Sequence, residues 1–184
     1  MPTPKRVERA YTSEDYWSLP DGERAELING TLYAMTPPGR SHQKVVGGMY
    51  RAFADHIDAN GGPCEVYVAP FAVNLTANDD NWVEPDVLVV CDPDKLSERG
   101  CDGAPDFIAE VASPSNRAHD YLVKAVLYQE AGVREYWVVD PDLGRTTVYR
   151  FEAAGPAPVV YPLDVPVPVQ IYGGDLAICV SELL

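Results

Sequence analysis

The sequence predicts one mixed domain of the α/β (α+β) class, and three patterns indicate it. The pair Asn29-Gly30 separates two short strand-like segments, an amphipathic segment covers about residues 41–59, and apolar runs of strand length recur between residues 64 and 151. A chain of 184 residues is long enough for one substantial core and short for two. We therefore predict a single domain over residues 1–184, with a core at about 12–151 and a proline-rich C-terminal extension at 152–184.

Cap and turn residues define the first elements. The segment Thr12-Ser13-Glu14-Asp15 fits a capping box, which predicts a short helix that ends at Pro20-Asp21-Gly22. The pair Asn29-Gly30 is the strongest short signal for a two-residue hairpin. In such a hairpin Glu26 faces Tyr33, so Glu26 is expected on a strand.

Further breaks divide the middle of the chain. Ser41 can cap a long helix, which Asn60-Gly61-Gly62 ends. A strand over residues 64–75 is predicted to be broken or bulged near Pro70, since proline cannot donate to a ladder. The polar stretch 92–104 is predicted to be a surface loop.

The C-terminal third repeats this alternation. Residues 113–116 can cap a second long helix that runs to about residue 131, where Gly132 ends it. Strands are predicted at 135–140 and 146–151. The apolar residues 176–184 are expected to dock on the body of the protein or on a second subunit.

The charge is strongly acidic, with a formal net charge of -14 and a pI of about 4.4. This balance argues against non-specific attraction to nucleic acid, because proteins that neutralise phosphates normally present a basic face. Net charge leaves a local basic patch open, since five basic residues lie in or beside the two long predicted helices: Arg40, Lys44, Arg51, Arg117 and Lys124.

The cysteines and the hydropathy pattern bear on location. The four cysteines form no C-x-x-C pair and have no nearby histidine cluster, so reduced, partly buried thiols are predicted. A Cys91–Cys101 bridge is disfavoured in a cytosolic chain. No apolar run approaches the length that crosses a membrane, and the start of the chain lacks the apolar core of a signal peptide. These features predict a cytoplasmic protein with no membrane partner.

Two acidic residues lie inside otherwise apolar runs. Asp86 falls in the run 84–90, on the same predicted strand face as Glu84, and Glu110 falls in the run 107–112. Burying an ionised carboxylate costs several kcal/mol unless a cation or hydrogen-bond donors compensate. If the two strands are neighbours, their carboxylates form the oxygen-only ligand pattern that magnesium or manganese prefers. Common nucleotide-binding, serine-hydrolase and zinc-protease motifs are absent from the sequence.

A lysine can complete this group. Asp120, Lys124 and Tyr128 are spaced by four residues, so they share one side of the second long helix. Lys124 can reach back over the end of the preceding strand, where it could orient a water molecule or stabilise charge developing on a phosphate. Glu26 could be a further ligand or could hold that lysine. The simplest structural alternative is a salt bridge between Glu110 and Lys124.

Six segments stand in a consistent order from about residue 12 to residue 151. They are Glu26-Leu27-Ile28-Asn29-Gly30, Pro37-Pro38 with Ser41-His42-Gln43, Glu84-Pro85-Asp86-Val87-Leu88-Val89, Glu110-Val111-Ala112-Ser113-Pro114-Ser115, Asp120 with Lys124 and Tyr128, and Gly132-Val133-Arg134-Glu135-Tyr136-Trp137-Val138-Val139-Asp140-Pro141. As an ordered set they resemble the Uma2 family (DUF820) of restriction-endonuclease-like proteins, in the PD-(D/E)XK nuclease superfamily.

That resemblance implies a restriction-endonuclease-like PD-(D/E)XK core, in which a mixed central β-sheet is flanked by helices, and hydrolysis of phosphodiester bonds that depends on magnesium or manganese. The metal ligands it implies are Asp86, Glu110 and the backbone carbonyl of Val111. Ala112 stands where the simplest motif has lysine, and Lys124 is the predicted substitute. The predicted catalytic set is Glu26, Asp86, Glu110 and Lys124, and the predicted substrate contacts are His42, Gln43 and Asp120.

DNA is the expected substrate, and two other functions stay open from the sequence. The acidic pI and Ala112 would suit a nuclease fold without catalysis that serves as a binding or assembly module. A phosphodiesterase acting on RNA or another nucleotide is the other alternative, because a fold does not determine a substrate. A homodimer is expected, because the proline-rich segment and the apolar C-terminus offer surface to bury.

Overall fold

The structure is a computed structural model that describes residues 10–151 and 157–184. Residues 1–9 and 152–156 lie outside the described residues, and parts of the predictions for the start of the chain and for the C-terminal extension fall on them. The helices are α1 (Ser13–Trp17), α2 (Arg40–Asn60) and α3 (Ala125–Ala131), with a π-helix at His119–Lys124 directly before α3 and 3-10 helices at Pro93–Lys95, Gln170–Tyr172 and Val180–Leu183. The strands are β1 (Ala25–Ile28), β2 (Thr31–Ala34), β3 (Glu65–Val68), β4 (Val73–Asn74), β5 (Trp82–Val83), β6 (Val87–Val90), β7 (Leu96–Ser97), β8 (Gly100–Asp102), β9 (Phe107–Val111), β10 (Glu135–Asp140), β11 (Arg145–Arg150), β12 (Val159–Pro162), β13 (Val167–Pro168) and β14 (Ala177–Ile178).

The central sheet has the strand order β12-β11-β10-β9-β6-β3. Strands β9 and β10 are parallel, and every other neighbouring pair in this sheet is antiparallel. The parallel pair requires a crossover, which the π-helix and α3 supply between the two strands. The mixed sheet confirms the predicted α+β class.

The two faces of this sheet bury different layers. Odd-numbered residues of β6, β9 and β10 pack with α2 and the C-terminal residues, whereas even-numbered residues pack with α3 and a second sheet. Because Glu110 has an even number, its carboxylate points to the α3 side. The C-terminus docks on the protein's own body, where Val167, Val169, Ile178 and Val180 join the α2 core.

The second sheet, with the order β2-β1-β5-β4-β8-β7, includes strands that were not predicted. The predicted surface loop at 92–104 contains a 3-10 helix and the hairpin β7–β8, and Cys101 within it is only 1% exposed. The loop prediction is wrong because β8 adds in parallel to β4 and buries its one apolar side chain there. A three-residue strand leaves too short a pattern to detect.

The structure confirms the predicted capping box and hairpin near the N-terminus and corrects the predicted start of α2. Thr12 and Asp15 form the predicted capping box, and the β1–β2 hairpin pairs Glu26 with Tyr33 as predicted. Both turn residues have the left-handed backbone that this turn requires, with φ values of 49° at Asn29 and 73° at Gly30. The predicted Ser41 cap is wrong, because α2 begins at Arg40 with Gly39 at its N-cap and no capping side chain.

Two further predictions about strands and cysteines need correction. The predicted run 84–90 is interrupted at Pro85, so Glu84 and Asp86 do not share a strand face. Cys64 and Cys91 form a disulfide, whereas Cys101 and Cys179 are free as predicted. The two bonded cysteines flank the antiparallel pair β3–β6, where Glu65 pairs with Val90, so the sheet register brings them together. No helix within the described residues is long and apolar enough to cross a membrane.

Candidate active site

A cavity of about 1100 Å³ lies between the second sheet, the start of α2 and the π-helix. All eight residues predicted to act in catalysis, metal binding or substrate contact line it: Glu26, His42, Gln43, Asp86, Glu110, Val111, Asp120 and Lys124. The structure thus brings together residues from β1, α2, β9 and the π-helix with Asp86 of the segment before β6. Their chemical roles stay predictions that the contacts below support.

Asp86 and Glu110 lie at the junction of β6 and β9. Asp86 directly precedes β6, and Glu110 is the second-last residue of its antiparallel neighbour β9. The backbone N–H of Val111 donates to Asp86 Oδ2 over 2.8 Å, and the backbone N–H of Asp86 lies 3.4 Å from Glu110 Oε2. Within an extended strand the N–H and C=O of one residue point the same way, so the Val111 carbonyl faces the Asp86 side. The two carboxylates therefore meet the Val111 backbone where β6 begins and β9 ends, in the interior of the sheet.

His42 holds the Asp86 carboxylate from α2. His42 Nε2 lies 3.0 Å from Asp86 Oδ2, and the two side chains are 17% and 13% exposed. The predicted substrate contact at this position is therefore engaged with a predicted metal ligand. Gln43 is the next residue of α2, lines the same cavity and is exposed.

Lys124 joins Glu26 and Glu110 at the buried end of the cavity. Its Nζ lies 2.9 Å from Glu110 Oε1 and 2.9 Å from Glu26 Oε1. Tyr128 also donates to Glu110 Oε1, over 2.7 Å. Lys124 and Tyr128 reach the same oxygen because they lie one turn apart. The salt bridge between Glu110 and Lys124, which the sequence offered as a structural alternative, is thus present. It engages Glu110 Oε1, whereas Oε2 faces the backbone N–H of Asp86.

The electrostatics of this cluster favour an additional cation. Burial raises the pKa of Glu110 well above its usual range, Lys124 opposes this effect, and Asp86 adds to it. Burial alone would lower the pKa of Lys124, but Glu110 and Glu26 outweigh it and raise that pKa well above its usual value. The ammonium therefore stays charged, and it is one positive charge among four carboxylates.

Asp120 shows the shortage of positive charge most directly. It is 1% exposed, and neither carboxylate oxygen has a hydrogen-bond partner within the described structure. Its nearest ion-pair partner is Lys124 Nζ, at 3.9 Å. Burial raises the pKa of Asp120 to about 7, against the opposing effect of Lys124. An unpartnered buried carboxylate costs free energy that a bound cation, or a substrate donor, would recover.

The donor set fits a hard divalent cation with few protein ligands. Within residues 10–151 and 157–184, no group of three or more His, Cys, Asp and Glu side chains could hold a metal ion. Magnesium is commonly held by one or two carboxylates and several waters, so this finding is compatible with a site on Asp86, Glu110 and the Val111 carbonyl. These oxygen donors differ from the thiolate and imidazole ligands that are typical of a structural zinc site.

A second layer of contacts around the cavity was not predicted. Glu84 accepts from the Nε of Arg24 over 2.9 Å and from the hydroxyl of Tyr16 over 3.1 Å. Its backbone N–H in turn donates to Glu26 Oε1 over 3.1 Å. These bonds fix Glu26 in place. Their partners are about 60 residues apart in sequence, so only the pairing of β1 with β5 reveals them.

The fold is shared with a solved structure. A crystal structure of a "putative nuclease belonging to DUF820" from Anabaena variabilis superposes with a TM-score of 0.75, covering 94% of this chain and 96% of that one at 19% identity. At this level of identity the likeness shows a common fold.

The sequence match then gives the family. Residues 13–177 match the model of Uma2, described as "Putative restriction endonuclease", and the chain belongs to the Uma2 family. It is also 31% identical over 127 residues to the uncharacterized protein slr1290 of Synechocystis sp. strain PCC 6803. That alignment covers 69% of this chain and 64% of the relative, so the chain spans about two thirds of the relative's length.

Proposed function

We propose that the protein is a magnesium- or manganese-dependent endonuclease that hydrolyses phosphodiester bonds of DNA. The observation that carries this proposal is the convergence of Asp86, Glu110 and the Val111 backbone beside Lys124 in one cavity. Membership of the Uma2 family, described as "Putative restriction endonuclease", supports the same reaction class.

In this proposal Asp86, Glu110 and the Val111 carbonyl hold the ion. A bound magnesium ion would polarise the phosphate and make a bound water more acidic. His42 keeps the Asp86 carboxylate oriented through its 3.0 Å contact, while Tyr128 and Lys124 orient Glu110 from the other side. These contacts restrict both carboxylates before substrate arrives, which is the preorganisation that electrostatic catalysis requires.

Lys124 takes the role of the lysine that is absent at position 112. An ammonium has three N–H donors, and hydrogen bonds to Glu26 and Glu110 use two of them. The third can donate to a phosphate oxygen as negative charge develops on it. Glu26 is a positioning residue in this scheme, because it contacts the substrate only through Lys124.

Conversion of supercoiled plasmid DNA to nicked and linear forms tests the proposal. With magnesium or manganese, the wild type should cleave, chelation should stop cleavage, and Asp86→Asn and Glu110→Gln should each lose at least about 100-fold in rate, consistent with loss of a group that stabilises the transition state. Asp58→Asn is the matched control, because Asp58 is an exposed acid of α2 outside the cavity. Absence of cleavage with either ion, or equal cleavage by the site variants, would refute the proposal.

The expected assembly and location stay predictions. The apolar C-terminus that suggested a dimer packs on the protein's own core, which leaves the proline-rich segment as the remaining reason.

A further inference from the structure

An aromatic pair forms one wall of the cavity that contains the carboxylates. The rings of Tyr33 and His119 have centroids 4.4 Å apart, with their planes tilted by 46°, and both residues line the cavity. Tyr33 is 38% exposed, although a tyrosine on a strand could bury its ring in the core. His119 Nε2 is buried and has no hydrogen-bond partner among the described residues. The wall therefore offers the exposed part of the Tyr33 ring to a ligand.

The strand register places this wall beside the acidic cluster. Tyr33 of β2 pairs with Glu26 of β1, and directly opposite residues of an antiparallel pair project to the same face. Tyr33 therefore lies one strand spacing from Glu26, which binds Lys124, and Lys124 in turn binds Glu110. Strand β2 is an edge strand, which leaves the outer side of Tyr33 open.

The wall continues as apolar surface on both sides. Met35 and Pro37 extend it from β2, and Leu122, which is 68% exposed, extends it from the π-helix. A nucleotide base presents a flat apolar face, which such a surface can cover.

The charges of the cavity do not suit a rigid duplex. Among the described residues, the Arg and Lys side chains that line it are Arg24, Arg40 and Lys124. Arg24 is bonded to Glu84, and Lys124 to Glu26 and Glu110, whereas Arg40 forms no ion pair with another described residue. Proteins that grip duplex DNA by charge commonly neutralise roughly 6–10 phosphates, and a net charge of -14 opposes this.

The depth of the acidic cluster also disfavours a duplex as the ligand. Glu110, Glu26 and Lys124 are 3%, 4% and 5% exposed, so a phosphodiester must enter the cavity to reach them. The cavity volume of about 1100 Å³ is slightly above the range of roughly 300–1,000 Å³ that is typical of small-ligand sites. A flexible strand can enter such a space one nucleotide at a time, whereas a stacked and paired duplex cannot.

We propose that the cavity takes an unpaired nucleotide of single-stranded DNA and stacks its base on Tyr33, next to the carboxylates. This inference rests on the proposed function for the identity of the polymer, and it names the strand form on which the site acts. Tyr33 supplies the stacking face, and the imidazole of His119 packs against the tyrosine ring at a centroid distance of 4.4 Å and supports it.

Equilibrium binding separates this proposal from cleavage. The probe is a short single-stranded DNA that carries 2-aminopurine, whose fluorescence falls when the base stacks, and it is titrated with the whole chain in EDTA so that no cleavage occurs. We expect saturable quenching by the wild type and about 5- to 150-fold weaker binding by Tyr33→Leu. Tyr33→Phe, which keeps the ring, should bind within about threefold of the wild type.

Two comparisons make the result specific. Tyr50→Leu removes an equally exposed tyrosine, 43% exposed, on α2 outside the cavity, and it should bind like the wild type. A blunt duplex of the same sequence should bind at least tenfold more weakly than the single strand. Equal or tighter duplex binding, or a Tyr33→Leu change within twofold, would overturn the proposal even if the enzyme cleaves DNA. Quenching that depends on Tyr33 would support base stacking even in a protein that cleaves nothing.

Discussion

Replacement of Lys124 by methionine tests how the acidic cluster is held together. Methionine has a side chain of similar length but lacks the ammonium, which lies 2.9 Å from both Glu26 and Glu110. Lys124 is only 5% exposed, so the substitution is made in a buried position. Removing one partner of a buried ion pair typically costs about 3–5 kcal/mol, because the remaining charge has no compensation. We expect a loss of that size in the free energy of unfolding at pH 8 in EDTA, or about 6–20 °C in Tm for a chain of this length.

Urea denaturation followed by tryptophan fluorescence measures this loss. The matched control is Lys44→Met, because Lys44 is an exposed lysine of α2 outside the cavity, and its free energy of unfolding should change by no more than about 0.5 kcal/mol. The double variant Lys124→Met/Glu110→Gln should recover part of the loss, since it removes the uncompensated carboxylate. A loss below about 1 kcal/mol for Lys124→Met, or no recovery in the double variant, would refute the reasoning.

Two further predictions concern the neighbours of Lys124. Burial raises the pKa of Asp120 from 3.8 to about 7, so the folded chain binds this proton more tightly than the unfolded chain, and metal-free wild type should lose stability as pH rises from about 4 to about 7. Asp120→Asn should reduce this dependence of stability on pH and should raise the free energy of unfolding more at pH 8 than at pH 4. Urea denaturation at both pH values measures this, and an unchanged pH dependence would contradict the prediction. Tyr128→Phe removes the hydroxyl that donates to Glu110 over 2.7 Å, and it should lower the free energy of unfolding by about 1.5–3 kcal/mol in the same assay. Tyr50→Phe is the control at an exposed tyrosine. Equal stabilities of Tyr128→Phe and the wild type would contradict the prediction.

Much of the layout of the candidate site could be predicted because it depends on local periodicity. The Asn29-Gly30 turn sets the β1–β2 register, so the pairing of Glu26 with Tyr33 follows from two residues. The spacing of four puts Lys124 and Tyr128 on one side of their helix, and the structure shows both bonded to Glu110. Short-range rules suffice where one turn or one helix face determines geometry.

The features that were missed depend on contacts between distant segments. The contact of His42 with Asp86 joins residues 44 apart, and the bond of Arg24 to Glu84 joins residues 60 apart. The π-helix at His119–Lys124 has no cap or composition signal, yet it sets how Asp120 and Lys124 face the cavity. Such features follow from packing, which periodicity does not encode.

Calorimetric titration of manganese into the metal-free protein at pH 8 tests the central claim most directly. The account predicts saturable binding of about one ion per chain to the wild type, and loss of that binding in Asp86→Asn and in Glu110→Gln, while Asp58→Asn binds as the wild type does. Absence of binding to the folded wild type, or equal binding by Asp86→Asn, would contradict it.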